Sequence, residues 1–237
     1  MLLESFGPVQ ASILTDLPRV RMLNLVLGAA EPGAVEEGHL AETLAWVARH
    51  DVDCYVPVTT QGPEAGAAER WLKEQGFERG YGWMKFVRDA SPPDLDQPPG
   101  AEVVELASGE GESFAVIAAH GFGVPPWASS LFWGLPGREG WRCYVAVVDG
   151  TPSASAAMLI DDGLAEFGIA ATLEVARGRG CQTALLRKRI IDAGLAGCET
   201  LFVETGERTA DRPSASYRNI LRAGFEEAYV RPNWQRP

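Results

Sequence analysis

Four cysteines stand in 237 residues, Cys54, Cys143, Cys181 and Cys198, and none forms a Cys-x-x-Cys pair. The three histidines, His39, His50 and His120, are scattered singly. Neither a zinc-ligand spacing nor a disulfide framework is therefore expected, and no metal. The stretch Met1–Gln10 lacks a basic segment followed by an apolar run, so no secretory signal is expected. No run approaches the ~18 apolar residues of a membrane span. Together these absences predict a reducing, cytoplasmic setting with no membrane partner. Positive charge is also scarce: 21 Lys and Arg against 32 Asp and Glu give a net charge of −11. Phosphate-backbone binding needs clustered Lys and Arg, so a nucleic-acid partner is not expected. An acidic surface suits a cationic or amine substrate, and it is equally a common solubility device.

What is present suffices for a packed core. Hydrophobic residues make up 46% and charged residues 22%, a balance that argues against general disorder. The segment Asp89–Gly100 holds four prolines and three aspartates and reads as a linker, because proline fits neither a helix nor a sheet interior. It predicts a unit over 1–88, a linker over 89–100 and a unit over 101–237. The two units resemble each other. Gly76-Phe77-Glu78 and Gly224-Phe225-Glu226 each follow a helix-like run. Upstream of each lies the order strand, helix, strand: Val20–Leu27, Leu40–Val47 and Cys54–Val58 in the first unit, and Glu166–Thr172, Ala184–Leu195 and Leu201–Val203 in the second. The second unit has more before this: a strand at Ala101–Leu106, a helix at Gly111–His120, an aromatic stretch at Pro125–Pro136, and a hairpin of Tyr144–Val148 and Ser153–Ile160 around Asp149-Gly150. The first unit reads as a partial copy without its opening strands, and the fold class is a mixed α/β sheet.

The stretch Gly163–Leu186 carries the chemistry. A strand enters a Gly-rich turn and the turn enters a helix. Gly178 and Gly180 allow close approach of the backbone to a ligand, and the new helix aims free N–H groups and its positive dipole end at it. That is an anion site suited to phosphates, with Arg177 and Arg179 adding forked donors. A Walker A loop lacks its lysine here, and a dinucleotide fingerprint would have to be forced from Gly178, Gly180 and Ala184.

Arg177-Gly178-Arg179-Gly180-Cys181-Gln182 resembles the [Q/R]-x-x-G-x-[G/A] signature of the GCN5-related N-acetyltransferase (GNAT) superfamily, departing from it at Gln182. The likeness spans Ala101 to about Trp234 and includes the late element Ser216–Phe225. It implies a GNAT fold in the second unit, and a degenerate, partial GNAT-like domain in the first, where the loop counterpart Gly28–Glu37 has lost its arginines and gained Glu31, Glu36 and Glu37. It also implies acetyl-CoA, or another short acyl-CoA, as cosubstrate. The acyl-CoA would lie in a V between Glu166–Val175 and Thr200–Glu204. Backbone at Leu173, Glu174 and Val175 would meet the pantetheine arm, amides from Gly178 through Arg179, Gly180, Cys181 and Gln182 to Thr183 would hold the pyrophosphate, and Asn219 would touch the cofactor. An amine, small-molecule or peptide, would attack the thioester directly in a ternary complex. A non-catalytic acyl-CoA sensor is the alternative, and the chain could act as a monomer or a homodimer.

The resemblance also suggests catalytic candidates. Glu166, eleven residues before Arg177, would be the general base, with its apolar neighbours Ala165 and Phe167 expected to raise its pKa; the bland alternative is a solvated glutamate on the outward strand face. The family's usual tyrosine acid falls on Ile220, so Tyr217, three residues earlier, is a substitute candidate, as are Ser216 and a water, with core or cap packing as the alternative for Tyr217. Cys181 as a covalent nucleophile lacks a histidine partner. Trp127, Phe132 and Trp133 fall where the family builds its acceptor pocket, and core packing would account for them as well.

Overall fold

A computed structural model of the chain describes residues 1–93, 100–209 and 214–237. The proposed linker falls largely on 94–99, outside the described residues. The chain divides into two units, Met1–Met84 with Tyr229–Pro237, and Lys85–Ala228. In chain order the strands are β1 (Leu2–Phe6), β2 (Val9–Ile13), β3 (Leu25–Leu27), β4 (Val56–Pro57), β5 (Glu78–Arg79), β6 (Trp83–Asp89), β7 (Glu102–Glu105), β8 (Trp141–Val148), β9 (Thr151–Asp161), β10 (Leu164–Thr172), β11 (Thr200–Gly206), β12 (Glu226–Arg231) and β13 (Asn233–Gln235). The helices are α1 (His39–Arg49), α2 (Ala65–Glu74), α3 (Glu112–Gly121), α4 (Ser130–Trp133), α5 (Cys181–Leu195) and α6 (Ala215–Arg222).

The first unit departs from the sequence expectation in three ways. It opens with a hairpin, β1 and β2, closed by Gly7 at φ 54. Val9, Ala11 and Ile13 alternate into the core and leave Gln10 outside, so the opening strands thought missing are replaced by this pair. The strand expected at Val20–Leu27 shrinks to Leu25–Leu27. Its first half is a turn because buried Asn24 binds backbone: its Nδ2 donates to the Leu17 and Val20 carbonyls at 2.9 and 3.1 Å, and its Oδ1 accepts from Leu14 N–H at 2.7 Å. Thirdly, the end of the described chain returns. β13 lies between β4 and β5, with Trp234 opposite Val56 and Arg79, and the Trp234 ring joins the first unit's core. The division at residues 89–100 therefore gives way to boundaries inside β6 and β12.

The second unit is built on a mixed sheet in the order β12-β6-β11-β10-β9-β8-β7. The expected hairpin is β8 and β9, turning at Asp149-Gly150 with φ 49 and 75. Helices α3 and α5 pack on the same central strands from opposite faces. On the α5 face lie buried Tyr144, Met158, Ala165, Phe167 and Leu201. Tyr144 donates its hydroxyl to Asp192 of α5 at 2.8 Å, and Lys188 reaches the same carboxylate at 2.7 Å. Burial and Asp192 push the Tyr144 phenol up. α5 stops at Gly197, φ 81, where the Cys198 N–H donates back to the Ala193 carbonyl, a glycine-terminated helix end.

Candidate functional site

β10 and β11 run parallel and in register from Leu164↔Thr200 to Phe167↔Val203, and the pairing ends there. On its other side β10 loses register with β9 between Gly168 and Ala171. Ile169 sits in that break at φ 48. For a β-branched residue this is a strained conformation costing about 1–3 kcal/mol. The break throws β10 away from β11 and leaves Ile169 and Ala170 outside the β9 ladder. Beyond it the strand ends at Thr172. Leu173 N–H donates to the Ser153 carbonyl, and Glu174–Ala176 forms a 3-10 turn with Val175 exposed. The expected extension of the strand to Val175 is thereby corrected: Leu173, Glu174 and Val175 do not line the opening.

The turn then delivers α5. Gly178 and Gly180 take φ 78 and 77, and no side chain caps the helix. The first N–H groups of a helix have no acceptor further along it, so the start of α5 offers amides of Cys181, Gln182 and Thr183 to an acceptor outside the helix. The turn is braced from behind by Gly100: a Cβ there would come within 2.6 Å of the Arg179 carbonyl oxygen.

A cleft of about 1430 Å³, part of it open to solvent, joins this helix start to the splay of β10. Its lining includes Ala170, Ala171, Thr172, Arg177, Gly178, Gly180, Gln182, Thr183 and Asn219. Among the described residues its lining also contains three arginines, Arg177, Arg189 and Arg222, and no aspartate or glutamate, in a chain whose net charge is −11. Gln182, the departure from the family pattern, donates to Ser216 Oγ at 2.7 Å and accepts from Asn219 Nδ2 at 2.9 Å, joining the start of α5 to α6. Arg177 pairs with Glu174 at 3.3 Å. Arg179 turns instead to Asp149 at 3.0 Å and is not among the lining residues.

Other sequence candidates are placed differently. Glu166 is exposed on the face opposite α5, one residue before the splay; Ala165 and Phe167 are buried on the other face and do not surround it. Tyr217 is buried against Phe86, and its hydroxyl donates to Glu227 at 2.6 Å. Burial and that bond raise it to about 12. It does not line the cleft, so the expected acid is committed elsewhere. Cys181 is buried with its Sγ toward the Ala176 carbonyl, and burial raises its thiol, which removes it as a nucleophile. Phe132 is buried and stacks on Phe122, while Trp127 and Trp133 are exposed, and none of the three lines the cleft. Among the described residues no group of three His, Cys, Asp or Glu could hold a metal, and no helix is long and apolar enough to cross a membrane.

Two features were missed from the sequence. Lys85 pairs with Glu204 on splayed β11. Arg189, 1% exposed, lies 4.6 Å over the Phe167 ring. Its Nε donates to the Leu185 carbonyl at 3.1 Å and its Nη1 to the Ala157 carbonyl at 3.0 Å. Burial lowers it to about 9, which leaves it cationic at neutral pH. The signal was helical spacing: Arg189 follows Leu185 by four and precedes Ile190 and Ala193 on the buried face.

No protein-family model and no curated protein matches the sequence. Solved structures do resemble it. One is a GCN5-related N-acetyltransferase from Kribbella flavida, with TM-score 0.72 and 18% identity over 100% of this chain and 89% of that one. A GCN5-related N-acetyltransferase from Sphaerobacter thermophilus gives TM-score 0.61 and 16% identity over 97% and 78%. A tandem GNAT protein from the clavulanic acid biosynthesis pathway gives 0.62 and 15% over 96% and 77%. At such identities the likeness is one of fold, and the chain has the GNAT acetyltransferase fold.

Proposed function

We propose that the second unit transfers an acetyl or other short acyl group from acyl-CoA to a primary amine. The single observation that carries this is the cleft, lined among the described residues by arginines and no acid, that runs from an uncapped helix start to a splayed pair of parallel strands. The pyrophosphate would sit on the amides of Gly178–Thr183, where helix dipole and N–H groups converge. The arm would run beside the unpaired edge of β10, adding to it as a strand does. The thioester carbonyl would then reach the broken ladder at Ile169–Ala170, whose backbone N–H groups are the available donors for a developing oxyanion.

The amine nitrogen attacks the thioester carbon; a C–N bond forms, the C–S bond breaks, and the electron pair leaves on sulfur. The amine's proton passes to Glu166, directly or through water, on the exposed face from which an acceptor would arrive. With an ordinary thiol pKa near ~8.5, the departing thiolate takes its proton from solvent without a dedicated acid. This fits Ile220 standing buried at the family's tyrosine position and Tyr217 being bound to Glu227. The working setting would be a reducing cytosol.

The test is CoA release from acetyl-CoA followed across a panel of primary amines, together with titration of CoA itself. Acceleration by at least one amine supports the transferase. Tight CoA binding with no turnover across the panel would instead make the chain an acyl-CoA sensor, and absence of CoA binding would remove both.

A further inference from the structure

We propose that the first unit carries a ligand site of its own, for a small organic acid with an apolar tail, in a cavity between the last turns of α1 and the residues flanking β4, β5 and β13. The site is made of first-unit residues and does not depend on the acyl-CoA reading.

The cavity measures about 430 Å³, part of it open to solvent, and the residues that line it all belong to the first unit. Its floor is apolar. Leu44 and Val47 face it from α1, Val52 and Cys54 from the loop before β4, and Phe77 from the position before β5. Each is at most 8% exposed, and all five belong to the unit's core cluster. The hollow therefore cuts into the core, and a ligand must bring apolar surface to cover it. Burial pushes the Cys54 thiol up to about 11 and keeps it neutral. The carbonyl end of α1 is also closed. The His50 and Asp51 N–H groups donate to the Val47 and Ala48 carbonyls at 3.0 and 3.1 Å, so it holds out no acceptor to a cation.

Charge is confined to the mouth, and its balance there is positive. Asp53 lies between two arginines, 3.2 Å from Arg19 and 3.6 Å from Arg21, and Asp51 is bound to Arg19 at 2.8 Å. Arg21 is fixed further by donating to Gln235 Oε1 and to the Arg236 carbonyl, both at 3.3 Å. The Arg236 guanidinium lies 5.2 Å from the centroid of the Phe77 ring, with no ion pair or side-chain hydrogen bond among the described residues. A guanidinium over an aromatic face keeps the donors on its edge available. Three guanidiniums thus stand against two carboxylates, in a chain whose net charge is −11. The charges of Arg21 and Arg236 both act on the Cys54 thiol, which agrees with their meeting at one cavity. A carboxylate on Arg236 would leave its tail beside Phe77 and over the apolar floor. An inorganic anion would leave that floor bare, and an amine would have the wrong sign.

The experiment is calorimetric titration of the full chain with acetate, pentanoate and 3-methylbutanoate, and with pentylamine and 1-pentanol to vary the charge. At least one five-carbon acid should bind roughly tenfold or more tightly than acetate, because its extra carbons leave water, and more tightly than the amine or the alcohol. Ala48 and Arg236 both line the cavity at exposed positions, so A48W and R236M should keep the fold, checked by circular dichroism. A48W should abolish binding of the acid by filling the mouth. R236M should bring the acid down to the level of the alcohol. Pentylamine binding as tightly as pentanoate, or a preference for the acid that survives R236M, would overturn the assignment to a carboxylate. Failure of both five-carbon acids to bind the unaltered chain would overturn the site itself. CoA titrated in parallel should bind A48W and R236M as it binds the unaltered chain, so failure of the acyl-CoA reading would be seen separately.

Discussion

Gly38 and Gly180 cap α1 and α5 with nearly the same backbone, φ 82 and ψ 4 against φ 77 and ψ 5, and neither helix start has a side-chain cap. The similarity ends at the amides and their surroundings. In α1 the Leu40 N–H donates to the Ala34 carbonyl at 2.8 Å, so the preceding turn closes over the helix start. The same turn carries Glu31, Glu36 and Glu37, with Glu37 bound to His39. In α5 the corresponding amides open into a cleft whose charged lining residues, among those described, are arginines. A left-handed glycine before a helix is therefore a backbone device without a fixed use. Whether it grips an anion depends on what already occupies its donors and on the sign of the neighbouring charge.

The largest expected effect comes from making α5 resemble α1. G180E places a Cβ 3.1 Å from Gly100 Cα in a left-handed conformation and adds a carboxylate beside the amides. Affinity for CoA should fall on the order of 100-fold or more, read by calorimetry with circular dichroism confirming the fold. Next, E166Q separates grip from chemistry. Its kcat should drop about 100-fold, as for loss of a general base, with the CoA dissociation constant unchanged; an unchanged kcat would discard Glu166 as the base. Smaller still, Y217F should lower stability by about 1 kcal/mol through loss of the bond to Glu227 and leave kcat within a few-fold. A collapse of kcat would return Tyr217 to the chemistry. The converse change, E36R with E37R in the turn before α1, should create no second CoA site, because the Ala34 carbonyl still holds the Leu40 amide. Stoichiometry would stay at one CoA per chain.

Local signals made much of the second unit legible. Gly178 and Gly180 marked the turn before α5, and the alternation around Asp149-Gly150 marked the β8–β9 hairpin. The residues quoted from that turn mostly line one cleft. What escaped the sequence depended on distant partners. Arg179 faces Asp149, thirty residues away, rather than the cleft. Arg189 was passed over because charge usually means solvent, although its spacing put it on the buried face. Asn24 broke a strand that propensity favoured, by binding three backbone groups. Asn233–Gln235 shows no local mark of pairing with strands more than 150 residues earlier.

That last pairing fixes an order of events. Residues 1–84 are synthesised before residues 229–237, yet the β4-β13-β5 sheet lacks its middle member until residues 233–235 exist. Val56 and Arg79 must wait, exposed, while the rest of the chain is made. Most of the first unit is thus translated before the second yet completed after it, and loss of residues 233–235 would be felt at β4 and β5.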